Sequence, residues 1–150
     1  MAHLPMYGGM DRKSVSAFRE ADEELRAGSI EAFGTLKDAS DISVDHGFKF
    51  VAQKEYSMAM KRFNQAWVLD PDNPRVYWGF GTVLVQRGQS CDAVPLLGKA
   101  LSYEPVIEGL ATQAVQACRA CATTHATVDP VAKASYIERV CKPLELDSRK

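Results

Sequence analysis

An all-α fold, built as an array of antiparallel helix hairpins, follows from three features of the sequence. The first is an internal repeat. Gly47 recurs as Gly81, Ala59 as Ala93, Ala66 as Ala100 and Pro71 as Pro105, each 34 residues on. The large apolar positions keep the same step, Phe50 with Leu84, Phe63 with Leu97 and Leu69 with Tyr103, and an acid precedes each proline, Asp70 and Glu104. A period of this length marks stacked helix-turn-helix units, because one unit cannot bury its own apolar face. The second feature is helix punctuation at the repeat boundary. The third is the lack of apolar/polar alternation that would mark strands.

The elements follow in chain order. Residues 1–13 are expected to be an extended tail, since Pro5, Gly8 and Gly9 break any helix. Ser14 to Arg26 is amphipathic, with Val15, Phe18, Ala21 and Leu25 on one side and Gly28 ending it; 29–40 is a weaker helix or linker carrying Ile30, Phe33 and Leu36. The first clear repeat, 40–73, places helices at Asp41 to Ala52 and Glu55 to Leu69, with Ala59, Phe63 and Ala66 inward. Asp72-Asn73-Pro74 then stops one helix and starts the next: Asn73 can cap, and Pro74 suits a first helical position because its missing N–H is not needed there.

The second repeat, 74–107, carries Val76, Phe80, Val83 and Leu84 on one face and ends its first helix at Arg87-Gly88. Gln89 to Tyr103 follows, with Ala93, Leu96, Leu97, Ala100 and Leu101 as its stripe and Pro95 in the early turns. Residues 108–141 are degenerate; Ile107 to Ala122 and Pro130 to Val140 read as a closing helix pair, with Asp129-Pro130 starting the second. Terminal units of an array are atypical because each presents one face to water. The domain reading is therefore the tail 1–13 and one helical domain 14–150, flanked by the irregular stretches 14–39 and 108–141.

This pattern resembles the tetratricopeptide repeat family over residues 40–107. The family's small and aromatic signature is met by Gly47, Phe50, Ala59, Phe63, Ala66 and Pro71. In the second repeat it is met by Tyr77, Phe80, Gly81, Leu84, Ala93, Leu97, Ala100 and Pro105. Ser43 and His46 depart from it, and His46 is expected to be packed and hydrogen-bonded. The resemblance implies a right-handed superhelix whose first helices line a concave side. By register that lining includes Asp41, Val44, Asp45 and Phe48, then Arg75, Trp78, Gly79, Thr82 and Gln86, then Thr112 and Gln116. Positions at which chaperone-tail clamps of the family carry Lys, Asn and Arg read Val44, Phe48, Gly79, Gly109 and Gln113, so that specificity is rejected. Phe48 and Trp78 stand out as apolar anchors, unless the N-terminal helix or Leu4-Pro5-Met6-Tyr7 folds back over them. Trp67 is explained by packing or a convex outer surface.

Composition narrows the function. The 150 residues carry 18 basic and 19 acidic side chains, a net charge of -1. No basic stripe suggests nucleic acid, and no apolar run approaches the ~18 residues of a membrane span. No glycine-bracketed nucleophile or phosphate loop is present, and Glu20, Asp22, Glu23 and Glu24 read as a solvated face. His125, in a Thr-rich stretch, is expected in an exposed turn. Cys118 and Cys121 form a C-x-x-C without a preceding strand, and no histidine spacing completes a zinc set. Buried thiols or a structural disulfide are the expectation. By register, Cys91 can reach Cys121 or Cys118, whereas Cys141 should be distant.

The expected function is a non-enzymatic interaction module, without cofactor or metal, that binds a peptide or protein in the groove. The alternatives are an immunity-type inhibitor with an acidic surface that blocks a toxin, and a self-associating structural protein. The N-terminus shows no signal-peptide pattern. A cytoplasmic start and a mature bacterial envelope or lipoprotein chain whose leader has been replaced by Met1 both stay open.

Overall fold

The structure, a computed structural model, describes residues 2–126 and 130–147. Among them there are helices and turns and no strand, as the repeat predicts. The chain divides into two compact units, residues 1–79 and 80–150.

In the first unit, α1 (Ser16–Phe33) leads through Gly34 to α2 (Leu36–Ala52), α3 (Tyr56–Leu69) and the start of α4 (Pro74–Gln86). Helix α1 runs past Gly28, where the sequence suggested an end. A single interior glycine costs only about 1 kcal/mol, and the real stop is Gly34, whose φ of 86° is a left-handed cap. Thr35 then caps α2 by accepting the Asp38 N–H at 3.0 Å, so α2 begins five residues before the expected Asp41. Asn73 caps α4 as expected, accepting the Arg75 N–H at 3.1 Å. The Tyr77 hydroxyl ties the intervening turn by donating to the Pro71 carbonyl at 2.5 Å.

Phe63 is the centre of this unit and is fully buried. A Cβ at Gly47 on α2 or at Gly79 on α4 would overlap its ring. Both helices therefore approach α3 to within a distance only glycine permits. Met60, Ala59, Ala66, Val44 and Val76 are fully buried in the same unit.

The N-terminal segment is not the extended tail expected. Met6, Tyr7 and Gly8 turn back with φ of 48°, 52° and 70°, and residues Pro5–Gly9 form a tight turn packed on α3. Asn64, fully buried, holds it. Its amide donates to the carbonyls of Ala2 (3.1 Å) and Leu4 (2.9 Å) and its oxygen accepts the Tyr7 N–H at 3.3 Å. A second fastening lies further along. Arg12 makes a two-pronged bond to Asp22, at 2.6 and 2.9 Å, and its guanidinium lies over the Tyr7 ring (3.9 Å) and near the Phe18 ring (4.8 Å). Bonding to Asp22 pushes the Arg12 pKa up.

Asp22 is consequently not part of a solvated acidic face. It is 8% exposed, on the inward stripe of α1 with Ser29 and the half-buried Phe18, Leu25 and Arg26. Val15 and Ala21, expected inward, are exposed. The amphipathic reading failed here because a paired carboxylate took an apolar side chain's place.

The second unit contains the rest of α4, then α5 (Ser90–Leu101) and α6 (Leu110–Ala126). After these come α7 (Pro130–Tyr136), a π-helical turn Ile137–Cys141 and α8 (Lys142–Asp147). Gly81 repeats the role of Gly47: a Cβ there would overlap the buried Leu97. Helix α6 starts and ends later than expected, so His125 lies in the helix rather than in a turn. Asp129, the expected cap of α7, lies outside the described residues. Two disulfides join this unit, Cys91–Cys121 with Cα atoms 4.7 Å apart and Cys118–Cys141 at 5.6 Å. Placing Cys141 at a distance was wrong. With α6 reaching Ala126, Cys118 stands two turns before the helix end, and an antiparallel return starting at Pro130 brings Cys141 opposite it.

Candidate partner-binding face

In the first unit, the one-turn spacing of Val44 and Phe48 on α2 and the glycine backing of Phe63 produce a layered aromatic group. The Phe48 ring meets Phe63 edge-on, with centroids 5.1 Å apart and planes at 71°. On its other side it lies 4.7 Å from the Trp78 indole at 51°. Phe63 is buried, whereas Phe48 and Trp78 stay half-exposed. Rings at such separations attract through their quadrupoles and prefer tilted or edge-on geometries of this kind.

A charged cluster borders the pair. Arg75 on α4 pairs with Asp41 at 3.3 Å and with Asp45, two carboxylates one turn apart on α2. Lys37 reaches the other Asp41 oxygen at 3.4 Å. Asn73 donates to Asp41 and to the buried Ser40 hydroxyl, each at 3.0 Å. Exposed pairs of this kind contribute about 0–1 kcal/mol each, but here they fix α2 against α4 and leave two acids balanced by two bases.

Two residues expected in the lining are not there. Val44 is fully buried in the core, and Gly79 is buried beneath the Phe63 ring. The register misassigned them because the tight glycine contacts draw this side of both helices inward. His46, expected to be packed, is exposed beside Lys49, Phe50, Gln53 and Arg62.

The second unit presents a different surface. The Gln113 amide donates to the Thr82 hydroxyl at 3.0 Å. Gln86, Thr112 and Gln116 are exposed, and Arg119 pairs with Glu145 at 2.6 Å. Thr112 and Gln116 border a shallow depression with Ala111, Val115 and Arg119. This surface is polar and uncharged except at one end.

All four cysteines are engaged in disulfides, so none is a thiolate nucleophile in this state. Among the described residues, no three His, Cys, Asp or Glu side chains gather as metal ligands, and no helix is long and apolar enough to cross a membrane. Sequence reasoning missed Asn64, Arg12 and Asp22 as a structural set. Their partners lie up to 62 residues apart and follow no period; only a polar Asn64 beside the core residue Phe63 hinted at them.

No family model matches this chain, and no solved structure matches it.

Proposed function

We propose that the chain is a tetratricopeptide-like interaction module that binds a peptide or partner protein on the face around Phe48 and Trp78. The observation that carries this reading is the half-exposed, mutually packed aromatic pair bordered by internally neutralised charges. Such a pair offers an apolar contact at little ordering cost, and buried aromatic anchors contribute about 2 kcal/mol or more each to binding. The 34-residue repeat supports the same reading, since arrays of this kind present binding surfaces along their first helices. The inhibitor alternative draws on an acidic surface of Asp41, Asp45 and the Glu20–Glu24 cluster; Arg75 and Lys37 pair with the first two, while Glu20, Glu23 and Glu24 stay exposed. Two disulfides suit an oxidising compartment better than a reducing one, which bears on the choice between the two placements the sequence leaves open.

The test is parallel affinity capture from the source lysate with wild type and Trp78→Ser, each checked for fold by circular dichroism. A partner retained by wild type and weakened about 30-fold or more by the substitution is the expected result, corresponding to ~2 kcal/mol. Equal retention by both proteins would reject this face. Sedimentation of the purified chain tests the self-associating alternative.

A further inference from the structure

A cleft of about 550 Å³ lies in the first unit between the N-terminal arm, α1 and the end of α3. It shares no residue with the Phe48–Trp78 face. Its volume falls within the range of small-molecule sites, roughly 300–1,000 Å³.

Its walls are built rather than incidental. The arm that forms one side is held at one end by the three Asn64 hydrogen bonds and at the other by the Arg12–Asp22 fork. Met6 and Tyr7 occupy left-handed backbone conformations, which cost L-residues energy and persist only where the surroundings enforce them. The arm, whose residues Met10–Lys13 line the cleft, is thus fastened at two places.

Its chemistry is uneven. Arg12 is consumed by Asp22. Arg26 spends only its Nε–H, on the Val68 carbonyl at 3.3 Å, and among the described residues no carboxylate pairs with it or with Lys13. The half-buried Trp67 and the exposed Pro71 carry apolar surface in the lining, whereas Val68 is 5% exposed and offers Arg26 its carbonyl. Arg12, Lys13 and Arg26 against Asp11 and Asp22 leave one net positive charge around the opening.

We propose that this cleft binds a small organic anion with a flat apolar body, an aryl carboxylate or aryl sulfonate. Its anionic group meets the Arg26 guanidinium and the Lys13 ammonium, and its ring lies against Trp67 and Pro71. A guanidinium presents paired N–H donors that match a carboxylate or sulfonate, and a planar group on an indole face gains stacking contact.

The test uses the full chain carrying Trp78→Phe, which leaves Trp67 as the sole tryptophan of the original 2. The probes are 8-anilinonaphthalene-1-sulfonate, naphthalene-2-carboxylate and the uncharged N-phenyl-1-naphthylamine. The two anions should bind saturably at one site, with energy transfer from Trp67 to the sulfonate dye. The neutral dye should bind at least tenfold more weakly. Arg26→Gln should weaken both anions about tenfold, and Arg26→Lys should restore part of the loss. Lys13→Gln, at an exposed side chain, should weaken them about threefold without affecting the fold. The proposal is overturned if neither anion binds saturably, if the neutral dye binds as well, if Trp67 transfers no energy, or if both charge-removing variants bind like the parent.

Discussion

The two units use one repeat template and secure it by different means. In the first, the second-helix position after the core aromatic is Asn64; 34 residues on, the same position is Gly98. Asn64 takes the N-terminal arm with three hydrogen bonds, whereas Gly98 leaves room for the Leu144 side chain of α8. Each unit thus receives a terminal segment at an equivalent place, one by polar clasp and one by apolar contact. The first unit is then fixed by Phe63 wedged against two glycines and by the Arg12–Asp22 fork. The second has the smaller Leu97, a π-helical turn, and two disulfides instead. A regular aromatic-glycine core holds without cross-links, and a degenerate repeat is held by cross-links.

That contrast can be broken at its strongest point first. Phe63→Ala should cost about 3–5 kcal/mol, through lost transfer energy and a cavity that three helices cannot close; urea unfolding followed by tryptophan fluorescence reads it. Removal of Cys118–Cys141 by the double alanine variant should cost the second unit about 3–4 kcal/mol, the loop entropy for residues separated by 23. Thermal unfolding with and without the bond measures it.

The glycines sharpen the comparison. Gly79→Ala drives a methyl into the rigid Phe63 ring and should cost about 1–3 kcal/mol. Gly81→Ala meets the more adaptable Leu97 and should cost less. Equal losses in chemical denaturation would show that both contacts yield alike.

The smallest effect is alkaline. Burial, only partly offset by Arg12, pushes the Tyr7 phenol above its ordinary value. Its protonated form is therefore favoured in the folded chain. The associated stability is complete below the ordinary tyrosine value, about 10, and is lost as pH rises through the higher folded value. The difference in phenolate absorbance between wild type and Tyr7→Phe should rise at higher pH than that of free tyrosine.

Much of the helical order was legible because it is periodic. Gly47, Gly81, Phe63 and Leu97 announce themselves by a shared register, and Asn73-Pro74 by local capping chemistry. Phe48 and Trp78 were visible as large apolar residues on first helices. The arm was not legible: Asn64, Arg12 and Asp22 act across long separations, and a buried acid looks the same in sequence as a solvated one. The disulfide of Cys141 was missed for a smaller reason, since misplacing the end of α6 by one turn changes which side chains face each other in the hairpin.

Hydrogen exchange read by mass spectrometry, with and without a thiol reductant, tests the contrast most directly. The account predicts that reduction strips protection from residues 90–126 and 130–147 while residues 36–79 keep theirs. Equal loss in both units, or unchanged protection in the second, would contradict it.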